Sequence, residues 1–305
     1  MVITRRRLLG SAIGALACSG SVRRVWAATE VALAGGRLLS LSDGALVLPE
    51  SFVLGGLPEE EARALLAAAG VSGPELRVPC NVALWQSEDR TVLFDTGAGP
   101  DFMPSTGHLL DALGAAGIDP GAITHVVFTH GHPDHLWGVL DEFDEPLFAN
   151  ARHLMGRVER DYWLDPATAD SIGPDRQFFV AGAARRLGVL GDLVETFEDG
   201  DSLLTGLVAQ ATPGHTPGHM AFRLGEGDDA LTVVGDAIPN ASIALARPHW
   251  ELASDQDPAL AAASRTALLA DLAARGQPVI AFHFPEGGIG RIEAAEEGYA
   301  FVPAP

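Results

Sequence analysis

The sequence predicts an α/β fold in which two sheets pack face to face with helices outside, a sandwich of layers. Three observations carry this expectation. Strand signals cluster in both halves of the 305-residue chain, with helical segments between them. No low-complexity linker or domain boundary divides the halves. The segments richest in chemistry each follow an apolar run, where a strand gives way to a loop. With 47% hydrophobic residues, the chain can bury a sizeable core in one large domain.

Residues 1–27 read as a targeting segment outside the fold. Thr4-Arg5-Arg6-Arg7-Leu8-Leu9 resembles a twin-arginine export signal, and a mildly apolar stretch from Leu8 to Ala17 follows. Val25-Trp26-Ala27 offers small residues for cleavage. The apolar stretch is too short to span a bilayer as a stable helix. The expected mature domain is 28–305, placed in the periplasm or secreted, with no integral membrane segment. Cys18 lies in the leader, so Cys80 is left alone and the mature chain forms no internal disulfide. Cys80 stands in an apolar context and reads as a buried small hydrophobe.

Past the leader, Val31 to Leu41 and Ala45 to Leu48 read as strands joined by a hairpin at Asp43-Gly44. Glu59 to Ala69 reads as a helix: Pro58 precedes it, acids fill its first turn and Gly70 stops it. Leu76 to Trp85 and Thr91 to Phe94 are expected strands, the second ending in the tight turn Asp95-Thr96-Gly97. Gly117 closes a helix over Leu109 to Ala116, and Ile123 to Phe128 reads as a buried strand. Arg152 to Trp163 and Asp175 to Leu190 read as helices. Strand signals return at Leu207 to Ala211, Met220 to Leu224 and Leu231 to Val234. Pro258 to Arg275 is a long Ala/Leu-rich helix, Val279 to Phe282 a strand, and Ile289 to Pro303 a terminal extension.

The net charge of −20 comes from 40 acids against 20 basic residues, all of them Arg. Loss of residues 1–27 removes five arginines and no acid, which takes −20 to −25. An acidic surface without basic clusters argues against nucleic acid and anionic membranes as partners. A small-molecule substrate is the expected partner.

Thr129-His130-Gly131-His132-Pro133-Asp134-His135 places three imidazoles and a carboxylate within six positions, in the pattern H-x-H-x-D-H. Imidazole and carboxylate suit zinc and related first-row metals, and a strand end holds them rigidly. His215 in Thr212-Pro213-Gly214-His215-Thr216-Pro217-Gly218-His219, Asp236 after Gly235, and His283 are further candidates, each behind an apolar run. One edge of the sandwich can gather them all. His125 reads as a core residue, and His108, His153 and His249 as surface or structural.

These marks, with Asp95-Thr96-Gly97, resemble the metallo-β-lactamase fold superfamily, in that family's order and across the mature chain. The resemblance implies a four-layer αββα sandwich holding two Zn2+ or other divalent first-row ions. His130, His132 and His215 would bind the first, and Asp134, His135 and His283 the second. Asp236 would bridge them together with a hydroxide. Two cations about 3.5–4 Å apart lower the pKa of a shared water and clamp the oxygens that gain charge. Asp134 would orient the nucleophile, so Asp134 and Asp236 are the expected catalytic carboxylates. Asp95 would brace the site by accepting a hydrogen from a ligand imidazole. His219 stays open between such bracing and ligation.

A finer resemblance involves Asp95 to Phe102, Asp161-Tyr162-Trp163-Leu164, Gln177-Phe178-Phe179 and the ending from Gly288 to Pro303. These segments look like the methyl parathion hydrolase-like group: exported two-zinc phosphotriesterases and relatives with lactone or ester activity. By position, Phe102, Trp163 and one of Phe178 and Phe179 match that group's aromatic wall around the leaving group. The chain departs at Phe284-Pro285-Glu286, where many relatives have Pro-Phe-Pro-Gly. It also departs at Ala237-Ile238-Pro239-Asn240, which lacks the Tyr of some lactonases and weakens a dedicated lactonase reading. A bridging Asp argues against penicillin hydrolysis. The implied function is an exported binuclear zinc hydrolase of a neutral ester-like substrate: phosphotriester, lactone or aryl ester. The alternatives are an acyl-homoserine lactonase-type quorum-quenching enzyme and a mono-iron oxidoreductase of the same fold. Dimers are common among such relatives, so a homodimer is one expected assembly.

Overall fold

A computed structural model describes residues 29–33, 35–227 and 230–304. The expected export signal, 1–27, and Cys18 lie outside the described residues. Among the described residues the chain builds two seven-stranded sheets in which neighbours in space are neighbours in sequence. The first holds β1 (Thr29–Leu33), β2 (Gly36–Pro49), β3 (Glu75–Ser87), β4 (Thr91–Phe94), β5 (His125–Phe128), β6 (Arg152–Gly156) and β7 (Val194–Phe197). The second holds β8 (Ser202–Leu204), β9 (Leu207–Ala211), β10 (Met220–Leu224), β11 (Leu231–Val233), β12 (Pro278–Ile280), β13 (Ile289–Ala294) and β14 (Tyr299–Pro303). Strands β4 to β7 pair in parallel, as do β11 and β12, and the remaining pairs are antiparallel.

The helices are α1 (Glu50–Val53), α2 (Glu59–Ala68), α3 (Leu109–Ala115), α4 (Pro133–Leu136), α5 (Arg157–Leu164), α6 (Thr168–Ser171), α7 (Gln177–Leu190), α8 (Ile243–Ala246) and α9 (Pro258–Arg275). Asp257 starts α9 by accepting from the Leu260 N–H at 3.1 Å, with Pro258 fixing the first turn. Gly276 ends α9 in the left-handed region, at φ +64°.

Strand alternation assigns the layers. On β5, Val126 and Phe128 face Leu113, Val180 and Leu187 of α3 and α7. Val127 points the other way, into an apolar layer between the sheets with Phe94, Phe222, Val233 and Ile280. Leu66 of α2, Leu245 of α8 and Leu268 and Leu269 of α9 cover the outer face of the second sheet, against Val279 and Ile292. The result is the four-layer αββα order. No helix among the described residues is long and apolar enough to cross a membrane.

Several expected elements differ. The hairpin lies at Gly35, and β2 continues through Asp43-Gly44 with a bulge, Gly44 taking φ +103°. The Asp43 side chain accepts from the Ala98, Gly107 and Leu109 N–H groups, so the turn residues bend the strand and do not reverse it. Arg152–Gly156 is strand β6 and not the first turn of a helix; parallel ladders on both sides capture it. The terminal extension is a hairpin of β13 and β14. Strands β7 and β8 were not expected from the sequence.

Candidate metal centre

The candidate residues converge where four strands give way to loops. His130 to His135 follow β5, His215 follows β9, Asp236 follows β11 and His283 follows β12. All seven are buried. The turn Asp95-Thr96-Gly97 fixes the first group. Asp95 sits at φ +64°, a backbone region that costs energy for a residue with a side chain. From there its carboxylate accepts from the Thr129 N–H and hydroxyl, each at 2.7 Å, and from His135 Nδ1–H at 2.8 Å. Thr96 donates its N–H and hydroxyl to the His135 carbonyl. Gly138 packs against the same turn, where a Cβ would stand 2.0 Å from the Thr96 carbonyl oxygen.

Tautomers follow from these partners. The Thr129 hydroxyl is committed to Asp95, so the 3.0 Å contact with His130 is a donation from His130 Nδ1–H. His215 Nδ1–H donates to Asp255 Oδ1 at 2.9 Å, and His283 Nδ1–H to the Pro79 carbonyl at 2.7 Å. Each imidazole thus spends its Nδ1–H on the protein and turns Nε2 inward, the nitrogen a metal would take. His130 Nε2 and His215 Nε2 meet His132 Nδ1 at 3.0 and 2.9 Å. These three atoms form one set able to hold an ion.

The second set is centred on carboxylates. Asp236 lies 3.3 Å from His135 Nε2 through Oδ1, and 3.3 and 3.2 Å from the Nε2 atoms of His215 and His283 through Oδ2. Asp134 Oδ2 lies 3.3 Å from His283 Nε2 and 3.6 Å from His135 Nε2. Asp236 therefore touches imidazoles of both sets. Asp134 Oδ2, His135 Nε2 and Asp236 Oδ1 are buried without a hydrogen-bond partner. Orphaned atoms of this kind fit a divalent cation in the second set, as the converging nitrogens of His130, His132 and His215 fit one in the first. Cys80 Sγ also falls in reach of Asp134 and His283.

Electrostatics agree. Burial pushes His130 and His132 well below the ordinary imidazole range, which leaves them neutral as ligands. Burial also pushes His135 down, but Asp236, Asp134 and Asp95 outweigh it and raise it to about 10. Burial works against ionised Asp236, yet His283 and His135 hold it well below the usual carboxylate range. Against the same burial, His283 is likewise raised by Asp236 and Asp134. Without an ion the two carboxylates therefore hold protons on His135 and His283, and a divalent cation would take the place of those protons.

His219 resolves as a brace. Its Nδ1–H meets the Thr212 hydroxyl at 2.8 Å and its Nε2 accepts the Asp236 N–H at 2.9 Å, so both nitrogens are occupied. Glu159, on α5, was missed from the sequence. It is wholly buried and accepts from the N–H groups of Gly131 and Gly218, the Trp163 indole and the Thr216 hydroxyl. It ties the H-x-H turn to the Pro-Gly-His loop. Asp255 and Arg265 were missed as well; Arg265 Nη1 donates to Asp255 Oδ2 at 3.2 Å, with both side chains buried.

A cavity of about 790 Å³ opens over His132, Asp134, His215, Asp236 and His283. Its walls include Leu46, Leu48, Phe52, Val53, Phe102, Met103, Phe178 and Phe179. Phe179 packs on His132 at 5.5 Å and on Phe102 at 6.2 Å. The expectation put Trp163 in this wall as well. Its ring is instead wholly buried against His132 and does not line the cavity, because Glu159 holds its indole N–H at 2.6 Å. His125 is half-buried and not a core residue, whereas His153 is wholly buried with neither nitrogen partnered.

A profile of the metallo-beta-lactamase superfamily matches residues 76–280, a span that holds every candidate ligand except His283. The chain belongs to this superfamily. It is similar to the N-acyl homoserine lactonase AttM of Agrobacterium fabrum, at 31% identity over 147 residues, 47% of this chain and 49% of that one. The chain spans about half the length of the curated relatives it matches first. Among solved structures it is similar in fold to AidC, a dizinc quorum-quenching lactonase in complex with a product (TM-score 0.86, 24% identity, 91% of this chain and 97% of that one). It is similar too to the hydrolase AbOPH of the beta lactamase superfamily (TM-score 0.87, 24% identity, 93% and 99% covered).

Proposed function

We propose that this protein is a binuclear zinc hydrolase of neutral carboxylic esters, lactones first among them. The observation that carries the reading is the apolar cavity laid directly over two buried sets of metal-ligating atoms. An uncharged ester with an apolar tail suits these walls. N-acyl homoserine lactones have that form; AttM is named as a lactonase of that class, and AidC is a quorum-quenching lactonase seen with an N-acyl homoserine as product.

Bound divalent ions would supply a water of lowered pKa and charge neutralisation at the substrate carbonyl oxygen. The chain's own groups do the rest. Asp134 Oδ2 faces the centre unpartnered and is placed to hold a proton from water and return it to the leaving alkoxide. Asp236, pinned at its backbone by His219, keeps the two sets in fixed relation. The Phe102, Phe178 and Phe179 wall orients the apolar part of the substrate and excludes water.

The same wall favours a second reading, aryl esters or phosphotriesters of the methyl parathion hydrolase-like kind, since flat leaving groups stack on aromatic edges. One panel tests both. Zinc-loaded protein is given acyl homoserine lactones of graded chain length, a simple lactone, an aryl acetate and paraoxon. Turnover of the lactones with rising kcat/KM along the chain series supports the lead reading; faster turnover of the aromatic substrates selects the second. No turnover of any, with two zinc ions bound, refutes both. One iron per chain on metal analysis points to the oxidoreductase alternative. For residues 1–27 we propose export by the twin-arginine route. Arg5→Lys with Arg6→Lys should hold the chain in the cytoplasm, and unchanged export overturns that assignment.

A further inference from the structure

Residues 255 and 256 sit beside the first set of ligands, and they reach two different imidazoles. Asp255 fixes His215 through Nδ1–H. The Gln256 N–H reaches the Gly214 and His215 carbonyls at 3.1 and 3.2 Å, so the segment is stitched to the Pro-Gly-His loop. The Gln256 side chain crosses to His132, where its Nε2 stands 3.3 Å from His132 Nε2.

That last contact sets nitrogen against nitrogen. His132 turns Nδ1 toward His130 Nε2 and His215 Nε2. If Nδ1 carries the lone pair for an ion, the ring proton resides on Nε2. A protonated Nε2 then faces an amide NH2, donor against donor. At the same time Gln256 Oε1 is buried with no partner. A half-turn of the amide cures both faults, because oxygen and nitrogen exchange places at nearly equal shape.

We propose that Gln256 is a positioning residue for the first metal: its Oε1 accepts the His132 Nε2–H and so fixes both the ring's orientation and its tautomer. Hydrogen-bond acceptors behind ligand imidazoles typically strengthen metal binding 10–100-fold. Asp255 and Gln256 together make one short segment that aims two of the three histidines, where each alone would aim one. The inference rests on the reading of His130, His132 and His215 as a metal site.

The test is zinc affinity, measured by competition with a chromophoric chelator for wild type, Gln256→Leu and Gln256→Glu. Leu should weaken one of two zinc ions by about 10–100-fold, while Glu, which also accepts, should restore wild-type affinity. Histidine 15N spectra of the zinc-loaded wild type should show the His132 proton on Nε2. If Leu disturbs folding, Gln256→Lys replaces it, since Lys keeps length but offers only donors. Wild-type protein that binds no zinc overturns the metal reading and this inference with it. Zinc affinity unchanged by Leu or Lys, or a Glu variant as weak as Leu, overturns the inference alone.

Discussion

Glu159 offers the sharpest test of how the site is held. Glu159→Ala removes the acceptor for three fixed donors: the Gly131 and Gly218 N–H groups and the Trp163 indole. The Thr216 hydroxyl, at 2.7 Å, can rotate to another partner. A buried donor left unsatisfied costs about 1–3 kcal/mol, so three cost roughly 3–9 kcal/mol. Relief comes from the carboxylate itself: burial raises its proton affinity above the ordinary value, which marks an ionised form that the folded chain holds at a cost. The expected net loss is about 3–5 kcal/mol, the lower part of that span. Glu159→Gln keeps one oxygen, lets Thr216 reverse, and strands one N–H; about 1–3 kcal/mol is expected. Urea unfolding of the metal-free protein, followed by circular dichroism, gives both values. Gly131 lies between His130 and His132, so zinc affinity should fall in the same order. A Glu159→Ala variant within about 0.5 kcal/mol of wild type, the range of ordinary surface substitutions, would refute the bridge.

Other consequences are checked by simpler measurements. Burial holds His153 below its ordinary value of 6.5, so the unfolded chain takes up its proton first and stability is lost as pH falls below that point. His153→Met should remove this acid sensitivity and leave the protein as stable or about 1 kcal/mol more stable at neutral pH; a steeper acid loss in denaturant titrations would contradict it. Gly138→Ala drives a Cβ into the Thr96 carbonyl, and a loss of about 2–3 kcal/mol is expected from overpacking; an unshifted melting temperature counts against the tight turn. Zinc at about a thousand times its Kd should add about 4 kcal/mol to unfolding, reversed by a chelator. Unfolding indifferent to zinc would speak against the centre.

The sequence displayed most of what is local and periodic. Helix α9 carried its own cap, proline and glycine, and the H-x-H-x-D-H run announced itself because six adjacent positions set its chemistry. What stayed hidden depends on partners far along the chain. Glu159 meets Gly131 and Gly218 from 28 and 59 positions away, and on its own stretch it reads as one more solvated acid between arginines. Gln256 and Arg265 were silent for the same reason. Asp43-Gly44 misled because a turn signal specifies only a local bend; the peptide groups of a distant loop turned it into a bulge. Arg152–Gly156 misled because ladders on either side overrode a helix-like pattern.

The order of strands also sets an order of events. Each sheet is drawn from one unbroken stretch, residues 29–197 and then 202–303, so each ladder can close without waiting for the other. The candidate donors straddle that divide, with His130 to His135 on one side and His215, Asp236 and His283 on the other. Neither half owns a complete cage. An ion arriving early during synthesis finds partial coordination, and tight capture waits until His283 is in place. Tight binding would then report that both halves have met, a coincidence detector that pulse-labelled exchange with and without zinc can time.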